Sequence, residues 1–193
     1  MSKILIETSA RHIHVTKEAL EFLCGEGYKL EAKKELSQPG QYASTTKLDI
    51  IGPKNTIKGV SILGPVRDHC QVEVSATDAR TLGVPAIVRE SGDIAGSAPI
   101  SILNPITGNK LDLVEGCIVA KRHIHMTPAD AAEFNVVNGQ IVNVHVNSLK
   151  GRDIVFGDTV IRVSPNYKLA MHIDTDESNA GICSGEIYGE IIK

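Results

Sequence analysis

The tetrapeptide Arg-His-Ile-His is written twice in this chain, at Arg11–His14 and at Arg122–His125. A threonine follows each copy after one further residue, Thr16 after Val15 and Thr127 after Met126, while Ala10 and Lys121 precede them. Four of the seven histidines fall inside these copies. Side chains alternate between the two faces of an extended strand, so each His-x-His sets both imidazoles on one side. Two converging imidazoles make half of a metal site, and neutral imidazole is a preferred zinc ligand. A duplicated motif of this kind constrains the fold first: two related halves, each carrying part of a metal centre.

The repeat continues beyond the histidines. Residues 16–23 and 127–134 both read as short helices with Thr as the N-cap. Pro128 suits a first helical position, and Asp130 completes a capping-box pattern from Thr127. Further on, residues 63–78 resemble residues 163–176. A one-residue gap on each side aligns Pro65 with Pro165, Glu73 with His172, and Thr77-Asp78 with Thr175-Asp176. Each half then has three candidate ligands: His12, His14 and Glu73 in one, His123, His125 and His172 in the other. Three ligands with a position left open is the pattern of catalytic zinc, whereas structural zinc is usually closed by four.

Elsewhere β signals dominate. Residues 3–10, 47–52, 59–64, 71–74, 110–114, 117–120, 140–146 and 154–163 read as strands broken by Gly, Pro and Asn. The expected fold is mainly β with short α-helices, built as barrels or sandwiches. With 193 residues, 42% hydrophobic and 22% charged, the chain suits one compact unit or two small domains. Aromatic residues are 4%, Trp is absent and the net charge is -3, which argues against a nucleic-acid partner. No apolar run is long enough to span a bilayer, and the N-terminus enters a strand without a secretory segment. Cys24, Cys70, Cys117 and Cys183 form no Cys-x-x-Cys pair, so reduced thiols in a cytoplasmic protein are expected.

Several polar residues have competing readings. Arg67, in the loop after Gly64-Pro65, is either a surface arginine or a bidentate phosphate clamp. Arg162 sits within a β run and needs a partner or a solvent face. Arg11 and Arg122 point away from the histidines they precede and read as supporting groups. His69 and His145 have no repeat partner and are not expected to be ligands. The run Asp174-Thr-Asp-Glu177 lacks EF-hand spacing. No Walker A loop, Gly-x-Gly-x-x-Gly or Gly-x-Ser-x-Gly motif is present.

The segments Ser9–His14, Leu36–Gln41, Leu63–Arg67, Gln71–Glu73, Arg89–Asp93, Arg122–Pro128 and Met171–Glu177, taken in order, resemble the PduL-type phosphate propanoyltransferases. That resemblance implies a phosphotransacylase, interconverting acyl-CoA plus phosphate with acyl phosphate plus CoA. It implies two pseudo-symmetric β-barrels capped by short helices, one from residues 1–31 and 119–193, the other from 32–118. It also implies two zinc ions in one dinuclear centre, held by His12, His14 and Glu73 and by His123, His125 and His172. Arg67 matches the phosphate-binding arginine; Gln38, Gln71, Ser91 and Arg162 match other polar active-site positions. Thr8, Ser9, Ala10, Lys54 and Asn179 match regions that touch CoA. A homodimer is implied as well. Relatives bound for bacterial microcompartments carry an added N-terminal amphipathic segment; this chain starts almost at its first strand, so a cytoplasmic location is expected over encapsulation. Many relatives also place a basic residue near Ser61, where Lys58 is the nearest cation here.

The expected chemistry is direct attack of phosphate on the thioester carbonyl. A zinc thioesterase using water as nucleophile is one rival, separable by CoA release without phosphate. A metal-stabilised scaffold without activity is another, in which Arg67→Ala would change nothing measurable.

Overall fold

The computed structural model describes residues 3–192. In chain order these form strands β1 (Ile4–Thr8) and β2 (His12–His14), helix α1 (Lys17–Cys24), and strands β3 (Ala32–Glu35), β4 (Tyr42–Ile51), β5 (Thr56–Gly64) and β6 (Gln71–Glu73). Helix α2 (Ala76–Leu82) follows, then β7 (Val88–Arg89), β8 (Ala98–Leu103), β9 (Lys110–Ala120) and β10 (His123–Met126). The remainder is α3 (Pro128–Phe134), β11 (Ile141–Val146), β12 (Ile154–Val163), β13 (Ala170–Ile173), α4 (Thr175–Gly181) and β14 (Ile187–Ile192).

The strands close into two six-stranded barrels, as the resemblance implied. One runs β1-β13-β10-β12-β11-β14 and returns to β1. The other runs β4-β5-β2-β6-β9-β8 and returns to β4, with β3 and β7 added outside. The two walls are wired alike. Each His-x-His strand, β2 or β10, pairs in parallel with one neighbour (β5, β12) and antiparallel with another (β6, β13). The latter two then pair in parallel with β9 and β1.

This wiring exchanges strands between the halves. β1 precedes the first His-x-His in the chain yet pairs with β13 and β14. β9 precedes the second yet pairs with β6 and β8. The chain therefore divides into one unit up to Ala10, with Ser37–Pro39 and the chain from Lys121 on, and another of Arg11–Leu36 and Gly40–Ala120. The expected boundaries need correcting here. Residues 11–31 belong with the middle of the chain, because β2 bonds to β5 and β6 rather than to β1.

Each barrel has its own core. Ile13, the residue between the first two histidines, is fully buried with Leu48, Ile62 and Val72. Ile124 is fully buried in the other core with Ile4, Ile161 and Met171. Burying an isoleucine stabilises by about 2–3 kcal/mol, so this central residue pins the strand and leaves its histidines on the wall's other face.

The helices start as their sequences demand. Thr16 and Thr127 cap α1 and α3, and Asp130 completes the expected capping box. α2 and α4 were not anticipated, and both carry full capping boxes, Ser75 with Asp78 and Asp174 with Glu177. Both N-caps stand two residues after the third candidate ligand, so no gap follows that ligand. The structural partner of Asp78 is Glu177, not Asp176. The expected strands at 110–114 and 117–120 are one strand, β9; Gly116, at φ 132, bends it where a Cβ would lie 3.1 Å from the Cys70 carbonyl.

Candidate metal sites

Register assembles each triad. β2 sets His12 opposite Glu73 and His14 opposite Gln71. β10 sets His123 opposite His172 and His125 opposite Ala170. Among the described residues, these two triads are the groups of three or more His, Cys, Asp or Glu whose ligand atoms all lie within 4.8 Å of one another.

In the first triad, Nε2 of His12 and Nε2 of His14 are 3.1 Å apart. Glu73 places Oε2 3.4 Å from the former and Oε1 3.8 Å from the latter. Ligand atoms around a tetrahedral zinc stand about 3.3 Å apart, so these spacings fit that ion. All three residues are buried. In the second triad the imidazole centroids lie 4.5, 4.9 and 5.2 Å apart. Nδ1 of His125 is buried without a hydrogen-bond partner, a polar atom that protein contacts alone leave unsatisfied. His123 donates from Nδ1 to the Lys121 carbonyl at 2.9 Å, which leaves Nε2 as the nitrogen that can turn to a metal.

The electrostatics favour cation binding. Burial, aided by the charges of His12 and Arg67, pushes His14 down to about 2. Burial, with His123, His172 and Arg162, pushes His125 down to about 2. Both rings are neutral near pH 7 and have lone pairs to offer. Burial raises the Glu73 carboxyl, but the His12 charge and the hydrogen bonds from His12 and Ser91 outweigh it, so the group stays ionised. Each triad thus has one arginine acting on its second histidine, Arg67 on His14 and Arg162 on His125. β12 sets Arg162 opposite His125 in register.

Polar residues brace the triads. Gln71 and Ser91 each donate to Oε1 of Glu73 at 2.7 Å. Gln71 accepts from the Gly92 N–H at 2.9 Å, and Arg67 reaches the Ser91 hydroxyl at 3.3 Å. The residues expected around the first triad therefore form one connected group. Gln38 contacts His172 at 3.4 Å in the second. Three neighbours escaped the sequence reading. Glu7 stands beside His172, Ser37 donates to Glu7, and Tyr167 stacks on His125 with centroids 4.0 Å apart. Only the repeat of acceptors and donors around the histidines could have flagged them, and that is set by folding.

The sequence pattern of the phosphate propanoyltransferases matches residues 5–184, a span that holds both triads and their braces. The chain belongs to the phosphate propanoyltransferase family. A phosphate propanoyltransferase of Listeria monocytogenes is 49% identical over 188 residues, 97% of this chain and 86% of the relative. One from Clostridioides difficile is 47% identical over 190 residues, covering 98% of this chain and 89% of the relative. One from Thermotoga maritima is 48% identical over 179 residues, 93% and 84% respectively. The chain is thereby an enzyme of the phosphate acyltransferase kind.

Of the positions that resemble CoA-binding regions of phosphate propanoyltransferases, Thr8, Ser9, Ala10 and Asn179 belong to one unit and Lys54 to the other. Thr8 donates to Ser178 at 2.9 Å, next to the exposed Asn179 on α4, and the Ser9 N–H bonds to the Ile173 carbonyl. Ala10 is exposed at the end of that segment. Lys54 lies in the other unit, its N–H on the Leu82 carbonyl and its side chain against Gly83. His69 pairs with Asp68 and His145 with Asp153, outside both triads. Asp174-Thr-Asp-Glu177 is the capped start of α4.

Proposed function

We propose that this enzyme transfers a short acyl group, propanoyl or acetyl, between CoA and inorganic phosphate, with its two triads serving as the two sides of one dinuclear zinc centre. The single observation that carries the reading is the first triad with its bracing arginine: three ligand atoms at zinc spacing and Arg67 acting on the same histidine. The duplicated motif and the family's name support the rest. His12, His14 and Glu73 would hold one ion, and His123, His125 and His172 the other. Bound there, zinc supplies Lewis acidity for a thioester carbonyl and charge neutralisation for phosphate.

The protein's own groups do the remainder. Arg67, fixed by Ser91, orients phosphate through a planar pair of donors. Positioning replaces a bimolecular encounter with a directed attack. A phosphate oxygen bonds to the carbonyl carbon, the carbon–sulfur bond breaks, and CoA leaves as thiolate. Direct attack is supported by the cysteines: burial raises the thiols of Cys24, Cys70, Cys117 and Cys183, so none is poised as an acyl-accepting nucleophile. The four are free thiols, which fits a cytoplasmic location, and among the described residues no helix is long and apolar enough to cross a membrane. A homodimer is proposed as the working assembly.

Phosphate-dependent CoA release from propanoyl-CoA and acetyl-CoA, with zinc counted on the same sample, tests the proposal. Release only with phosphate and two zincs per chain is the expected result. Release without phosphate would assign a thioesterase instead, and parallel double-reciprocal plots would replace direct attack with an acyl-enzyme.

A further inference from the structure

The triads differ in their third ligand, and the strand beside each differs with it. β1 sets Glu7 in register with His172, while the equivalent strand β9 sets Ile118 in register with Glu73. The two ligand types ask for opposite neighbours. An imidazole that gives one nitrogen to a metal carries a proton on the other, which needs an acceptor. A carboxylate ligand needs donors and would be repelled by a second carboxylate. The chain places a fitting group beside each: Gln71 and Ser91 donate to Glu73, while Glu7 holds Oε2 at an ion-pair distance, 3.7 Å, from Nδ1 of His172.

The tautomer of His172 follows from Gln38. Its amide is fixed by one backbone residue: Nε2 donates to the Lys168 carbonyl at 2.9 Å, and Oε1 accepts from the Lys168 N–H at 3.2 Å. The amide nitrogen is therefore the atom 3.4 Å from Nε2 of His172. An amide nitrogen only donates, so Nε2 of His172 has a lone pair and Nδ1 holds the proton. That is the form a metal at Nε2 requires, with the N–H on the side of Glu7. The Ser37 hydroxyl donates to the same Glu7 oxygen and holds the carboxylate in place.

We propose that Glu7 is a positioning residue that favours the His172 tautomer with Nδ1 protonated and Nε2 unprotonated, and so sets how tightly the His123–His125–His172 triad binds its metal. The proposal rests on the reading of both triads as metal sites.

The test is zinc affinity by competition with a chromophoric chelator, together with the visible spectrum of the cobalt(II)-loaded chain. Glu7→Ala is expected to weaken one of the two sites about 10- to 100-fold, to shift the cobalt bands, and to leave the other site unchanged. Glu7→Gln keeps the shape and an acceptor oxygen, so its loss should be smaller; it also decides the matter if Glu7→Ala fails to fold. A His12→Ala background assigns the weakened site to the second triad. Native affinity at both sites in both variants, or equal losses at both, would overturn the role of Glu7 alone. A native chain that binds no zinc at either triad would instead overturn the metal reading, and this proposal with it.

Discussion

Arg122 and Glu177 lie 2.5 Å apart, joining the residue before one His-x-His to the third residue of the helix that follows His172. Arg11 and Asp78 make the same connection at 3.0 Å in the other unit. In each case the carboxylate also closes a capping box on its helix. One ion pair thus ties the start of the His-x-His strand to the helix that follows the third candidate ligand. The arginines, which the repeat marked as supporting groups, hold the two ends of each triad in a common frame.

The two pairs should not be worth the same. Arg122 also donates to the Gly157 carbonyl and lies over the Phe156 ring, and it is less exposed than Arg11. Arg122→Ala is expected to destabilise the chain by about 2 kcal/mol, the range for a partly buried charged hydrogen bond. Arg11→Ala should cost about 0.5 kcal/mol, since water screens its pair. Denaturant titration of the two variants measures the difference, and equal losses would contradict this ranking.

Removal of metal should silence the enzyme without unfolding it. Ile13 and Ile124, between the histidines of each motif, are fully buried in the two apolar cores, and strand alternation turns the histidines to the opposite face. Dialysis against a strong chelator is expected to abolish phosphate-dependent CoA release and to lower the melting temperature while the far-ultraviolet circular dichroism persists. Restored zinc should restore both, because a ligand that binds only the folded state stabilises it by mass action.

Arg67→Ala is expected to raise the KM for phosphate by about tenfold or more, with a smaller effect on the KM for acyl-CoA. Arg67→Lys should recover little, since a point charge cannot replace two parallel donors. Ser91→Ala removes one contact of Arg67 and one donor from Glu73, so a smaller loss is expected. Steady-state kinetics with phosphate varied separates the three.

Acid should destabilise the metal-free protein from a definite point. His14 and His125 take a proton near pH 6.5 when unfolded but near 2 when folded, with burial the main cause. Between these values the unfolded chain binds more protons, so stability falls as pH drops below about 6.5. Above that value neither histidine contributes a pH dependence. Equilibrium unfolding of zinc-free protein from pH 8 to 5 should therefore be flat first and then decline. His125→Gln should shallow the decline.

Legibility followed the range of the interactions. His12, His14, His123 and His125 were readable because two residues of one strand need only local alternation. α1 and α3 were readable from Thr caps and, in α3, from Pro128. α2 and α4 were not, because a seven-residue helix has too little apolar periodicity to register. β3, β7, β8, β13 and β14 were missed as well. β7 has two residues, and β3 is exposed along its whole length, so neither carries an alternating apolar pattern.

By itself, then, the sequence determined that two related halves exist and that each presents a His-x-His strand with a capped helix behind it. It also proposed Glu73 and His172, which strand register then set opposite His12 and His123. Tertiary structure alone decided which strand joins which barrel, since β1 and β9 pair with partners far along the chain. It alone put Glu7 beside His172 and Ile118 beside Glu73. The reason is physical: side-chain alternation and capping are written in neighbouring residues, whereas register between distant strands is fixed only when the barrels close.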